Sequence, residues 1–130
     1  MSDFAVLEVV TLFVEDVDAA RVFYVDVLGT EVVFADDASA VVQFSNLMVN
    51  LLQVDHAPTL VEPATVGGAT GARALFTIKV DDVDTAYEEL SGRGASFLNG
   101  PVDRPWGRRT AALADPAGNV WEIAADIGEP

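Results

Sequence analysis

An internal echo restricts what this chain can fold into more than any other feature. Val14-Glu15-Asp16-Val17-Asp18-Ala19-Ala20 returns 66 residues later as Val80-Asp81-Asp82-Val83-Asp84-Thr85-Ala86. Backwards, Val9, Thr11 and Leu12 correspond to Leu75, Thr77 and Ile78; forwards, the two copies run to Gly29 and Gly94. Each copy starts with a period-two alternation and then changes, past an Asp, to a helical pattern, as a strand followed by a capped helix does. In the first strand Val10, Leu12 and Val14 form one face and Val9, Thr11 and Phe13 the other. In the second, Phe76, Ile78 and Val80 oppose Leu75, Thr77 and Lys79. Either half alone is too short to bury a safe core, so the repeats are expected to fold as paired modules.

Three strands are expected after each helix. In the first copy Asp16 or Asp18 caps a helix reaching about Leu28, with Gly29 as its stop and Val22, Phe23 and Val27 as its apolar stripe. Glu31 to Ala35, Ala40 to Phe44 and Leu47 to Val54 then read as strands. In the second copy a helix from Thr85 to about Ser91 precedes strands around Ser96 to Leu98, Thr110 to Ala114 and Val120 to Ala125. The last hairpin turns on Asp115-Pro116-Ala117-Gly118-Asn119. Pro presets φ there, Gly and Asn accept left-handed φ, and the Asp side chain bonds the backbone ahead of it. By parity Trp121 and Ile123 belong to the core and Glu122 to the opposite face. His56 to Arg73, rich in Pro, Thr and Gly, reads as a linker. The expectation is one domain over residues 1–130, made of module 1 (about 6–55), the linker (56–73) and module 2 (74–126). The fold class is α+β: tandem βαβββ modules forming curved mixed sheets with a concave groove, the helices on the outer side.

Charge and composition narrow the function. Seven Lys and Arg against 21 Asp and Glu leave a net charge of −14, which repels nucleic acid and anionic membranes. Neither is expected as a partner. Cysteine is absent, which removes disulfides and thiolate chemistry, and the one histidine, His56, lies in the linker. Hydrophobic residues make up 51%, high for a soluble monomer, so a homodimer is expected. Met1-Ser2-Asp3-Phe4 has no basic export-signal region, and no apolar run approaches the roughly 18 residues of a membrane span. A cytoplasmic protein is the resulting expectation.

Three motifs sit on the doubled βαβββ pattern: Phe23-Tyr24-Val25-Asp26-Val27-Leu28-Gly29, Pro105-Trp106-Gly107-Arg108-Arg109, and Asp115 through Glu122. Together they resemble the vicinal oxygen chelate superfamily, which includes glyoxalase-type isomerases, extradiol dioxygenases, thiol transferases, epimerases and metal-free antibiotic-binding proteins. The resemblance implies that enzymes of this kind hold a divalent metal with inward-facing His or Glu. The first such position, seven residues before Asp16, is Val9; its repeat partner is Leu75, and the others fall on Asn50 and Glu122. Only Glu122 keeps a metal-capable side chain, so neither a metal nor another cofactor is expected. Glu8 would turn inward only through a register shift, which its neighbours' alternation opposes. The Pro-Trp-Gly-Arg and Asp-Pro-Ala-Gly-Asn stretches look most like the bleomycin-resistance branch. That branch implies small acidic dimers, with grooves formed by modules of different subunits, that sequester drugs.

The expected groove lining is Val9, Thr11, Phe13, Met48, Asn50, Leu52, Leu75, Thr77 and Glu122, with Trp106 on a loop at its edge and Arg109 as a further ligand-binding residue. Such a surface is mostly apolar, with a few polar groups to fix orientation. Ala111, Ala112 and Ala114 are small and would leave room in the cleft. The function expected is sequestration of a planar or aromatic natural product such as an antibiotic, a cationic one included, without turnover or catalytic residues. The alternative is a divergent glyoxalase-like lyase or isomerase with Glu122 as metal ligand or general base. A regulatory or structural dimer with a vestigial groove is the third reading.

Overall fold

The computed structural model describes residues 4–68 and 71–127. Residues 1–3, most of the stretch read for an export signal, lie outside that range, as do 69–70 within the expected linker. The chain divides into two compact units, Met1–Gly67 and Gly68–Pro130, with the division falling inside that linker.

In the first unit β1 (Val9–Val14) leads into α1 (Val17–Val22) and then β2 (Glu31–Ala35), β3 (Ser39–Gln43) and β4 (Met48–Gln53). The sheet order is β1-β4-β3-β2, with β1 parallel to β4 and the other pairs antiparallel. Capping falls to Asp16, whose Oδ1 accepts from the backbone N–H of Asp18 at 3.0 Å and Ala19 at 3.2 Å. The helix continues as a π-helical turn, Phe23–Val27, and ends at Gly29 with φ 76°. Its apolar stripe differs from the expected one. Ala20, Phe23, Tyr24 and Val27 are buried, whereas Val22 is 57% exposed. The buried set follows the i, i+3, i+4, i+7 phase of a helix face, and Val22 falls outside it. Tyr24 and Phe23 meet edge to face at 5.0 Å beneath this helix. Gln53, at the end of β4, accepts from the Val17 N–H at 3.0 Å and fixes the helix start to the sheet.

The expected linker is not structureless. A 3-10 turn (Val54–His56) runs into α2 (Ala57–Val61), where Ala57 is fully buried. Five residues starting near Pro58 are too few to display a helical period, so this element was invisible as a pattern.

The second unit repeats the topology with β5 (Leu75–Lys79), α3 (Val83–Gly92), β6 (Ser96–Asp103), β7 (Arg108–Ala114) and β8 (Val120–Asp126), in the order β5-β8-β7-β6. Asp82 caps α3 through the Thr85 N–H at 3.1 Å. Trp121 is buried and lies against Phe76, ring centroids 4.9 Å apart. In the last turn Asp115 Oδ1 accepts from Ala117 N at 2.8 Å and Asn119 N at 2.9 Å. Only Gly118 takes a positive φ, 84°. Asn119 instead turns its buried side chain onto Asp115 Oδ2 at 3.1 Å. β6 is longer than expected because register shifts at Phe97/Asn99 and Asn99/Val102 carry the strand through Gly100-Pro101. Bulges are where a sheet tolerates such residues.

The architecture is therefore α+β, two four-stranded curved mixed sheets with few helices. In the first unit α1 packs on β3 and β4, and in the second α3 packs on β6, β7 and β8. Among the described residues no helix is long and apolar enough to cross a membrane.

Candidate functional site

Because a helix covers one face of each sheet, chemistry is left to the other. In the second unit that face is read from β8, where Trp121 and Ile123 are buried and Glu122 alternates away from them. Glu122 is in register with Thr77 on β5 and Ala112 on β7. The Thr77 hydroxyl donates to Glu122 Oε1 at 2.8 Å. Around this pair lies an open cleft of about 500 Å³ whose apolar wall includes Leu75, Leu98, Ala112 and Val120. Its polar members are Arg73, Asn99, Arg104 and Glu122. The β6 irregularity positions Asn99, whose Oδ1 accepts from the Ala112 N–H at 3.1 Å. Arg104 is held by its Nε, which donates at 3.0 Å to Oγ1 of the buried Thr110.

The first unit presents the same pattern at the same register. Thr11 lies opposite Asn50, as Thr77 lies opposite Glu122, with Val9 opposite Met48 and Phe13 opposite Leu52. The neutral side chain changes the outcome: Asn50 Oδ1 is buried without a hydrogen-bond partner. An unmet buried acceptor is costly, about 1–3 kcal/mol, until a donor reaches it. Val9 is 37% exposed, whereas Leu52, on the same face by strand parity, is buried. β1 begins at Val9 in register with Met48, so the shift that would turn Glu8 inward does not occur.

Several residues lie elsewhere than expected. Arg109 pairs in register with Ala125, on the face opposite Glu122. There its guanidinium binds Asp103 at 2.9 Å and Asp84, at the start of α3, at 3.0 Å. These hydrogen bonds, Asp103 first and then Asp84, raise it above the ordinary arginine range. Arg109 thus joins helix to sheet and does not reach the cleft. Ala111 is likewise on the core side and fully buried. Trp106, on the turn before β7, is 68% exposed and is not among the residues lining the cleft. Arg108 likewise turns to an acid at the strand end, pairing with Asp126 at 3.3 Å. Lining residues outside the expected set include Arg73, Leu98, Asn99, Arg104 and Val120. Arg104 was readable in one respect. It opens a turn closed by Gly107 N to Arg104 O at 3.1 Å, which folds it back over the strand carrying Thr110.

A divalent ion can be tested against this donor set. At the paired positions each unit offers one carboxylate or amide and one threonine hydroxyl beside aliphatic Val9 or Leu75, and Glu122 is already engaged by Thr77. Among the described residues no three His, Cys, Asp or Glu side chains group as a cage. Three or four strong donors are what zinc, iron or manganese requires, so these residues do not fit a resident metal within either unit.

Two βαβββ units with the same sheet order define the class. Residues 6–123 match the family described as the Glyoxalase/Bleomycin resistance protein/Dioxygenase superfamily, and the chain belongs to it. It is 30% identical over 119 residues to the uncharacterized protein YraH of Bacillus subtilis, covering 88% of this chain and 93% of that one. A glyoxalase/bleomycin resistance protein/dioxygenase from Nocardioides has a similar structure, at a TM-score of 0.86 and 24% identity, covering 100% of this chain and 90% of that one. A lactoylglutathione lyase from Agrobacterium tumefaciens is also similar, at a TM-score of 0.76 and 24% identity over 95% of each chain. At that identity these two structures speak for the fold alone.

Proposed function

We propose that this chain is a small-molecule binding protein that sequesters a planar or aromatic natural product, an antibiotic being the best-fitting class, without turnover. The observation carrying this reading is the Thr77–Glu122 pair set among Leu75, Leu98, Ala112 and Val120. A fixed carboxylate in an open apolar cleft suits capture by shape and one polar contact. Burying about 150 Å² of ring surface contributes roughly 4 kcal/mol at about 25 cal/mol/Å². Micromolar capture needs about 8 kcal/mol, so the polar anchors decide which compound is held. The proposal includes a cytoplasmic homodimer, for which sedimentation equilibrium should return twice the chain mass.

The direct test is titration of intrinsic tryptophan fluorescence with bleomycin-type, mitomycin-type and aromatic polyketide compounds. The exposed Trp106 serves as the nearby reporter. Saturable quenching, with the compound recovered chemically unchanged, is the expected result. No quenching across the panel, or stoichiometric zinc, nickel, iron or manganese in protein purified without chelator, would overturn it in favour of a lyase or isomerase.

A further inference from the structure

We infer that the cleft of the second unit selects a ligand bearing an oxyanion, gripped by Arg104, beside a hydroxyl or ammonium group that meets Glu122. This rests on the binding reading above and names the chemistry of its ligand. The chain carries 21 acidic against 7 basic side chains, so an arginine without a carboxylate is against expectation. Arg21, Arg93, Arg108 and Arg109 each have an acidic partner. Arg104 makes one side-chain bond among the described residues, from Nε to the Thr110 hydroxyl at 3.0 Å, and no ion pair. That bond and the turn closed by Arg104 O aim the guanidinium while leaving its two terminal nitrogens open. A planar fork held this way matches a carboxylate or similar oxyanion in two-point contact.

The surroundings agree. Arg104 and Glu122 line this cleft together, so it offers a cationic and an anionic group side by side in a chain of net charge −14. Leu75 and Leu98, 56% and 60% exposed, flank it as apolar walls. Thr110, which anchors Arg104, stands two residues along β7 from Ala112, the partner of Glu122. Diagonal neighbours on one sheet face are roughly 7 Å apart. The two polar anchors therefore suit opposite ends of one small molecule. A zwitterion or hydroxy acid with an apolar body satisfies both, and it avoids the repulsion that the whole protein exerts on a simple anion.

Two dyes of the same ring system separate the oxyanion contact from apolar burial. 8-Anilinonaphthalene-1-sulfonate carries an oxyanion, and N-phenyl-1-naphthylamine does not. Fluorescence titrations would compare the full chain with Arg104→Met, Arg104→Lys and Arg93→Met, the last removing an equal charge from the residue just past α3. The sulfonate dye should bind the unaltered protein more tightly. Arg104→Met should weaken it about 10- to 100-fold while the neutral dye changes less than about 2-fold. Arg104→Lys should recover part of the loss, and Arg93→Met should leave it within about 2-fold. Circular dichroism checks that each variant folds; if Arg104→Met does not, Arg104→Lys carries the test, with a weakening of the sulfonate dye alone expected. Equal effects of Arg104→Met and Arg93→Met, or no preference for the sulfonate, would overturn the inference. If the neutral dye still binds, the parent reading survives that failure; if neither dye binds, both fall.

Discussion

Asp115 does the work of a whole turn, because one buried carboxylate accepts from two backbone N–H groups and the Asn119 amide. Replacing it with Ala leaves those donors unmet, and Asp115→Ala should cost about 2–4 kcal/mol, read as a lower urea midpoint. Asp36 makes a similar but fully exposed turn. The Ala38 N–H first, then the Ser39 hydroxyl, hold its carboxyl below the usual value of 3.8. The turn's contribution to stability is thus complete above about pH 4 and is lost as pH falls through the lower folded value. An NMR titration should give Asp36 a midpoint under 3.8, and Asp36→Asn should remove that acid dependence. Arg109 is half-buried and paired on the helix side, so Arg109→Met should lower the urea midpoint only slightly and leave ligand capture unchanged in the same fluorescence titration.

At the scale of elements, strand parity decides what a substitution does. In β7, Ala112 faces the cleft while the neighbouring Ala111 faces the core under α3. Ala112→Leu should fill the cleft and weaken binding of the aromatic dyes more than about 10-fold with little change in melting temperature. Ala111→Leu should overpack the core and lower stability by about 1–3 kcal/mol, visible by thermal denaturation. The alternation in β1, β5 and β8 was legible because period two survives whatever the strand packs against. The continuation of β6 through Gly100-Pro101 was not, since those residues normally end a strand and here sit in a bulge. The short α2 escaped for the opposite reason, having too few residues to show a period.

For the whole molecule the excess of negative charge outweighs any single ion pair. With −14 spread over 130 residues, self-repulsion opposes the folded state, and salt screens it. Raising sodium chloride from about 10 mM to about 200 mM shortens the Debye length from roughly 30 Å to under 10 Å and should raise the melting temperature. A flat or falling melting temperature in differential scanning calorimetry would contradict that account. The same screening should strengthen binding of the anilinonaphthalene sulfonate as the far field that repels it weakens, while the neutral dye stays unaffected.

Sequence by itself determined the repeat, the hairpin turn and the face on which Glu122 lies, because each depends on neighbours a few residues apart, and it narrowed the first helix cap to Asp16 or Asp18. It also assigned Thr11, Asn50, Thr77 and Glu122 to the groove lining, and the structure then set Asn50 opposite Thr11 and Glu122 opposite Thr77. Only the tertiary structure decided which arginine meets which acid. Arg104, Arg108 and Arg109 are nearly adjacent in the chain, yet they go respectively to a cleft, to Asp126 and to the start of a helix. A guanidinium reaches several residues in any direction, and its partner is chosen by the turn and pleat beneath it, which no local pattern records.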